Sequence, residues 1–191
     1  MKVWILFLTT AFALTFAATS CSKDDDSGGL MPEEENQEPV LGEMSISDLS
    51  APIRCVFTSL EDAENGCDPI WNLYFYDQMY VSRPDYSDIE SHIQIPESFF
   101  GKTIDLTQPL DQEANPQQQM SIFIRFKRDL QQLILLYHDN RISVLNSIDG
   151  LSTVVRGTLR IDRNGNWFVI EMTTDLSDGQ TAAIHWCGPV I

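Results

Sequence analysis

The chain has 191 residues, of which 43% are hydrophobic and 10% aromatic, and its 28 acidic residues against 12 Lys and Arg give a formal charge of -16. This length and composition are sufficient for one folded domain with a core, which excludes a wholly disordered chain. So large an acidic excess repels phosphate backbones, and nucleic acid is therefore excluded as a partner.

The first segment combines one basic residue with a long apolar run. Lys2 precedes residues 3–18, which are interrupted only by threonines. A run of this length fits either the hydrophobic region of a secretory signal or a retained, marginal membrane-spanning helix. The small residues at positions 18–20, directly before Cys21, favour a signal that is removed.

This arrangement resembles a bacterial lipoprotein signal. In that family the cysteine thiol receives a diacylglycerol, the peptidase cuts just before the cysteine, and the new amino terminus is acylated. The resemblance implies a signal peptide over residues 1–20 and a mature chain that begins with lipidated Cys21. Two or more acyl chains make release from a bilayer slow, so the implied partner of this residue is the membrane.

The five residues Ser22 to Asp26 read Ser-Lys-Asp-Asp-Asp. They resemble the export signal of surface lipoproteins of the Bacteroidota, which directs display on the outside of the outer membrane. The resemblance implies an outer-membrane protein that faces the cell exterior, and the alternative is a solvated acidic linker in the periplasm. Residues 21–42 are acidic and poor in apolar side chains, which predicts a disordered tether after the lipidated cysteine.

The remaining residues, 43–191, are predicted to form a single all-β domain. Helical periodicity is scarce, while short alternating or β-branched runs recur between turn residues, so we expect a mainly β fold of about 8–10 strands. The architecture is predicted as an antiparallel β-sandwich or a calycin-like β-barrel. The candidate strands cover residues 53–60, 70–76, 92–95, 103–106, 120–127, 133–137, 142–145, 154–162, 167–173 and 181–187. Residues 129–137 also fit one face of a helix, and the pattern leaves both readings open.

Two turns in the last forty residues predict strand register. A two-residue loop at Asn164-Gly165 pairs Arg163 with Asn166 and places a set of apolar side chains on one core face: Leu159, Ile161, Phe168, Ile170 and Met172. At Ser177-Asp178-Gly179, a three-residue loop with Gly179 in the left-handed conformation keeps Ile184 and Trp186 on that same face. A two-residue loop would turn them away, so we favour the three-residue loop.

A second resemblance rests on Trp186-Cys187-Gly188 near the end of the chain and on the stretch from Ile95 to Leu106. They are similar to parts of small uncharacterised lipoproteins of gut-type Bacteroidota. The similarity covers most of residues 70–191, but its motifs are turn and core residues. It therefore implies fold and origin and brings no catalytic residue.

Three cysteines remain beside Cys21. Cys55 and Cys67 flank an acidic loop between two candidate strands, and a disulfide that closed it would contribute about 3 kcal/mol in the chain-entropy model. We predict this pair. The alternatives are a bridge from Cys187 to one of the two, and a catalytic thiolate at Cys187 beside His185, for which no orienting carboxylate is evident.

Motifs of catalysis, phosphate binding or metal binding are absent from the sequence. We therefore expect a protein that is not an enzyme, with no catalytic residues, no cofactor and no metal. Two weaker alternatives are a pair of carboxylates that hydrolyses glycosides and a calcium site in the acidic loop of Asp62, Glu64, Asn65 and Asp68, whose spacing is not that of an EF-hand.

Aromatic residues supply the functional hypothesis. Trp71, Tyr74 and Tyr76 share one candidate strand, on which Trp71 alternates with the two tyrosines. Such a strand has one core face and one face free to stack on a ligand. We therefore expect a non-catalytic binding module that contacts a glycan, a host molecule or a neighbouring envelope protein. The alternative is a lipocalin-like carrier that holds a small apolar ligand inside a barrel.

Overall fold

The computed structural model describes residues 40–62, 68–78, 87–110, 119–138, 141–146 and 152–191. These residues form twelve strands and one short 3-10 helix, Glu97–Phe99. The strands are β1 (Gly42–Ile46), β2 (Leu49–Ile53), β3 (Cys55–Glu61), β4 (Ile70–Tyr76), β5 (Ile89–Pro96), β6 (Thr103–Asp105), β7 (Met120–Phe126), β8 (Gln131–His138), β9 (Arg141–Asn146), β10 (Val154–Asn164), β11 (Trp167–Leu176) and β12 (Thr181–Pro189). All of them belong to one compact unit, Gln37–Ile191.

The strands form two antiparallel sheets of six strands each. Sheet A has the order β2-β1-β12-β11-β10-β6, and sheet B has the order β3-β4-β5-β7-β8-β9. The antiparallel sandwich is confirmed, whereas the calycin-like barrel is wrong because the two sheets do not close into one. The strand count of 8–10 was too low, because twelve strands are present in the described part of the chain.

Sheet A contains the first two and the last three strands together with the short β6, and sheet B contains the other six strands from the middle of the chain. The crossing between them is short, because Arg54 alone separates β2 from β3. The backbone N–H of Arg54 donates to the carbonyl of Tyr76 at 2.9 Å, which already places this residue beside β4 of sheet B. The sequence pattern missed β1 and all of β2 except Ile53, since neither short segment has a continuous β-branched run.

The last three strands form a meander whose register was largely predictable. Met172 pairs with Ile184 and Ile170 with Trp186, so the three-residue turn at residues 177–179 is confirmed, with Gly179 at φ +87°. The preceding turn is displaced by one residue: Asn164 pairs with Trp167, and Gly165 and Asn166 form the loop. Gly165 has φ +64° at the first central position, where a type II′ turn requires glycine.

This displacement leaves the predicted core face unchanged, because each strand keeps its alternation. All five of the predicted residues are buried: Leu159, Ile161, Phe168, Ile170 and Met172. Trp186 and Ile184 lie in the same cluster with side chains of sheet B such as Leu73 and Phe75. The ambiguous segment at 129–137 forms β8 rather than a helix, and Leu133, Leu135 and Tyr137 point inward.

Candidate binding site on the outer face of sheet B

One residue from each strand of sheet B lies in a single row across its outer face. The register pairs Phe57 with Tyr74, Tyr74 with His92, and His92 with Phe123. It continues by pairing Phe123 with Ile134 and Ile134 with Leu145. We call these six residues the cross-strand band. Their inward neighbours along each strand fill the core, so alternation directs the band away from the core.

The band is only partly covered. Leu145 is 53% exposed, and the other five residues have intermediate exposure. Within the band, the rings of Tyr74 and His92 are stacked, with centroids 4.6 Å apart and planes inclined by 10°. Phe57 meets Tyr76 edge-on, at 5.8 Å and 86°. The band is therefore an ordered surface of rings and aliphatic side chains.

A chain of hydrogen bonds fixes the orientation of His92. The amide nitrogen of Asn72 donates to the Glu61 carboxylate at 2.8 Å, and the amide oxygen of Asn72 lies 3.0 Å from Nε2 of His92. Because a carboxylate only accepts, this orientation of the amide requires Nε2 of His92 to be the donor. Burial lowers the pKa of His92, and the nearby Glu61 charge opposes that shift. A neutral ring in this tautomer has Nδ1 as its acceptor.

Beside the band lies a hollow of about 470 Å³. It is lined by residues of β4 (Tyr74, Tyr76), β5 (Glu90, His92) and β7 (Phe123) and by Lys127, which follows β7. The outward direction of the band places this hollow on the outer face of sheet B, outside the space between the sheets. Strand β5 lies between β4 and β7 and so forms its floor.

Charged groups of both signs border the hollow. Glu90 and Arg125 approach to 3.6 Å, and Arg128 lies 2.9 Å from Asp88 at the same end of the sheet. Burial raises the pKa of the Tyr76 phenol, with smaller contributions from Tyr74, Cys55 and Glu90. Tyr76 is therefore a neutral hydroxyl, which can both donate and accept.

The three predicted ligand-binding residues do not share a face. Tyr74 and Tyr76 both line the hollow, but Trp71 is 8% exposed and packs inward. The Trp71 ring lies 5.8 Å from that of Phe168, and the guanidinium of Arg163 lies 4.3 Å from its centroid. Trp71 therefore closes one end of the core and lies on the face of β4 opposite to the two tyrosines, as its parity along the strand predicts.

The predicted disulfide pairs Cys55, at one end of the β3–β4 hairpin, with a residue of the acidic loop at the other end. Cys55 pairs with Tyr76, whereas Glu61 and Ile70 pair at the end where the acidic loop begins. No disulfide is seen in the described segments, and Cys67 itself lies outside them.

His185 and Cys187 point to the outer face of sheet A, as expected. Sequence reasoning missed that Glu43 and Glu171 are the direct cross-strand partners of His185, on either side of it. His185 is exposed and Cys187 is half-buried. These two carboxylates come from strands far apart in the sequence, so no local sequence motif predicts that they lie beside His185.

Several other predictions concern residues that the structure does not describe. The described residues do not include Cys21, the signal peptide over 1–20, the tether up to residue 39, or Glu64 and Asn65 of the acidic loop. Among the residues that are described, no group of three or more His, Cys, Asp or Glu side chains could hold a metal ion. Within that same part, no helix is long and apolar enough to cross a membrane.

The residues that sequence reasoning missed are Phe57, His92, Phe123, Ile134 and Leu145 of the band, together with Glu90 and Lys127 of the hollow. Each looks ordinary in its own strand. The available signal was the outward parity of large side chains on successive strands, which becomes informative only when strand order and register are known. Scans of protein-family models and searches of curated proteins and of solved structures found no match to this chain.

Proposed function

We propose that the protein is a lipid-anchored lipoprotein of the outer membrane that faces the cell exterior and acts as a non-catalytic binding module. Its partner, a glycan or a protein, contacts the outer face of sheet B. The membrane part of the proposal is supported by the apolar run before Cys21 and by the acidic residues that follow it. Three acyl chains on that cysteine would hold the chain firmly in the bilayer.

The cross-strand band is the observation on which the binding face depends. A solvent face of an antiparallel sheet ordinarily carries polar side chains, and contiguous apolar surface on a soluble domain marks an interaction site. Here all six strands contribute to one row, from Phe57 at one edge to Leu145 at the other. The hollow beside the row adds a concave element with polar groups in it.

The carrier alternative is less well supported. A lipocalin-like carrier holds its ligand inside a closed barrel, and the two sheets of this domain remain open. The hollow that borders Tyr74 and Phe123 lies on the outside of sheet B. The geometry therefore favours recognition at a surface.

Photo-crosslinking on intact cells tests the binding face. The crosslinking amino acid benzoylphenylalanine replaces Leu145 in the band or, as a matched control, Val155 on β10 of sheet A. The two positions are equally accessible, since Leu145 is 53% and Val155 is 58% exposed. We expect an adduct of higher mass at position 145 only, and mass analysis of the adduct distinguishes a glycan from a protein partner. Equal yields at both positions would contradict the proposed face.

The anchor has its own test. We expect the mature protein to begin at Cys21 with a mass increase from fatty acids, and protease added to intact cells to remove the domain. The Cys21→Ala variant loses the site of acylation and is expected to leave the membrane fraction. A retained leader peptide would contradict the lipoprotein assignment, and full protection from protease would place the domain in the periplasm.

A further inference from the structure

The outer face of sheet B is electrically neutral, although the chain as a whole has a formal charge of -16. Counting Asp, Glu, Lys and Arg, the six strands of this sheet contain four charged residues: Glu61, Glu90, Arg125 and Arg141. Each lies two or four positions from the band residue of its own strand and therefore shares the outward direction of the band. The two acidic residues lie on β3 and β5 in one half of the sheet, and the two basic residues lie on β7 and β9 in the other half.

The four charges are arranged symmetrically about the midline of the sheet. This midline runs between β5 and β7, with three strands on each side. Glu90 and Arg125 are direct partners across it. Glu61 and Arg141 lie on the two edge strands, in the row four residues away from the band on its other side. Reflection across the midline therefore places each acidic position on a basic one.

Two copies of such a face are complementary to each other. A two-fold dimer uses the same surface on both copies, so each contact between two different residues occurs twice. When the copies are placed face to face about an axis parallel to the strands and between β5 and β7, each row faces the same row of the other copy in reverse order. Glu90 then faces Arg125 of the second copy, and Glu61 faces Arg141. The internal pair of Glu90 and Arg125, 3.6 Å apart, meets its counterpart with opposite charges facing.

The cross-strand band is complementary to itself under the same operation. In reverse order its first residue, Phe57, faces the last, Leu145, and Tyr74 faces Ile134, so that in both pairs a ring lies against an aliphatic side chain. The second copy lies on top of the band and not between its side chains. The His92 ring therefore keeps its stack on Tyr74.

The dimensions and the composition of this face are those of a protein interface. Six strands of about seven residues give a face of about 29 Å by 23 Å, or roughly 670 Å² before the relief of the side chains is counted. An interface of standard size buries about 800 Å² per partner, with uncharged residues in its core and polar residues at its rim. The row between the band and the pair of Glu61 and Arg141 is also uncharged and consists of Ser59, Asn72, Gln94, Ser121, Leu136 and Ser143.

We propose that the protein forms a two-fold dimer in which the outer faces of two B sheets pack against each other. The inference rests on the proposed function and names its partner, which is a second copy of this chain. The acidic excess makes two copies repel one another in general, and a neutral, self-complementary face avoids that repulsion at the contact. A two-fold axis also keeps residue 40 of both copies at the same level along the axis, so both tethers lead towards one membrane.

Photo-crosslinking at position 145 in intact cells identifies the partner. We expect an adduct of two copies of the chain, in which benzoylphenylalanine at position 145 of one copy is attached to the segment around Phe57 of the other. Peptide mass mapping locates the attachment. Attachment to a residue of sheet A would overturn the face-to-face geometry, and an adduct with a different protein or with a glycan would overturn the second copy as the partner.

Charge reversal tests the pairing. Glu90→Lys places an ammonium group against Arg125 of the second copy, and Arg125→Glu places a carboxylate against Glu90. Either variant alone should lower the yield of the two-copy adduct at least about tenfold. Coexpression of the two variants, with the crosslinking residue on only one of them, should restore the yield to within about threefold of the original, because opposite charges face each other again. The internal pair is lost in both variants, alone or mixed, so recovery reports contact between copies.

Glu43→Lys is the matched control, because Glu43 is an exposed carboxylate on the outer face of sheet A. It should leave the yield unchanged, and a fall equal to that of Glu90→Lys would overturn the assignment to sheet B. Failure of the mixed variants to recover would overturn the reciprocal pairing. Arg141→Glu provides an independent test if the central variants do not fold, since it places a carboxylate against Glu61 of the second copy and should lower the yield at least about threefold.

Failure of the dimer and failure of the proposed function give different results. If position 145 crosslinks to another molecule, the binding face stands and its partner is not a second copy. If position 145 gives no more adduct than position 155, the binding face itself is wrong. A two-copy adduct that is lost in Glu90→Lys and recovered in the mixture supports both.

Discussion

The two outer faces of the sandwich carry equivalent rows with opposite chemistry. Across sheet A, direct cross-strand partners form the row Pro52, Glu43, His185, Glu171, Arg160 and Thr103. Across sheet B the corresponding row is the cross-strand band. Each row crosses six strands, and each contains one histidine. The first consists mainly of charged and polar side chains, and the second is almost entirely aromatic or aliphatic.

This difference separates the requirements of folding from those of binding. Both faces enclose the same core, so stability alone does not require one of them to be apolar. The row on sheet A is typical of a solvent-exposed face. It places opposite charges in direct pairs such as Glu171 and Arg160. The apolar row on sheet B departs from that pattern, and it is therefore the observation on which the proposed binding face rests.

The largest expected effect distinguishes the two faces of one strand. Phe75 is fully buried on the inner face of β4, and Phe75→Ala should lower the free energy of unfolding by about 3–5 kcal/mol through the cavity it leaves. Tyr74→Ala on the outer face should cost only about 1 kcal/mol, chiefly the stack on His92. Urea unfolding of both variants measures the gap. Comparable losses would mean that the outer face belongs to the core.

A second prediction concerns binding rather than stability. Ile134→Asp places a carboxylate in the middle of the cross-strand band, and a partner that covers it would leave that charge desolvated. The crosslink yield at position 145 should then fall at least about tenfold, corresponding to about 1.4 kcal/mol. Thr173→Asp, on the exposed outer face of sheet A, should leave the yield unchanged. A fall in both variants would show a general effect of added charge.

A smaller effect is expected from the protonation of His92. Its pKa is lowered from the ordinary value of 6.5 in the folded chain, mainly by burial, so the unfolded chain binds more protons around that pH. Stability rises with pH where the unfolded state binds more protons. The free energy of unfolding should therefore fall as the pH decreases through 6.5 and stop falling below the folded pKa.

His92→Gln removes this titration and should flatten the corresponding part of the stability curve. Chemical unfolding of both proteins between neutral and mildly acidic pH measures the difference. An unchanged slope in the variant would show that other groups cause the dependence.

The smallest effect is expected on sheet A. Glu171→Gln changes one exposed position in the charged row, and its effect on the free energy of unfolding should stay within about 0.5 kcal/mol. Thermal or urea unfolding suffices as the measurement. A loss above 1.5 kcal/mol would mean that the charges of this row contribute to stability well beyond those of exposed pairs.

Local signals explain which parts of the fold were predictable. The β11–β12 turn was correct because Asp178-Gly179 and the apolar alternation agree, and only one loop length satisfies both. The β10–β11 turn was displaced because glycine fits two positions in a two-residue loop, and sequence does not separate them. β1 and β2 were missed because β1 is held in the sheet by pairing with β12, which is about 140 residues away along the chain, and β2 pairs with β1.

The candidate site was predictable only in part for the same reason. Tyr74 and Tyr76 are close in sequence and were identified together. Their neighbours His92, Phe123 and Ile134 join them through the order of four strands, which no local pattern encodes. Trp71 has the opposite parity along β4 and lies on the inner face, as the alternation of the strand predicts.

The place of β1 within sheet A has a mechanical consequence. β1 is hydrogen-bonded to β2 on one side and to β12 on the other. A load applied to the chain just before residue 42 is therefore shared by two ladders of backbone hydrogen bonds, whereas an edge strand would yield after one. The sheet that takes this load is not the one that bears the cross-strand band, so tension at the amino-terminal side of the domain would leave the rings on the other sheet in place.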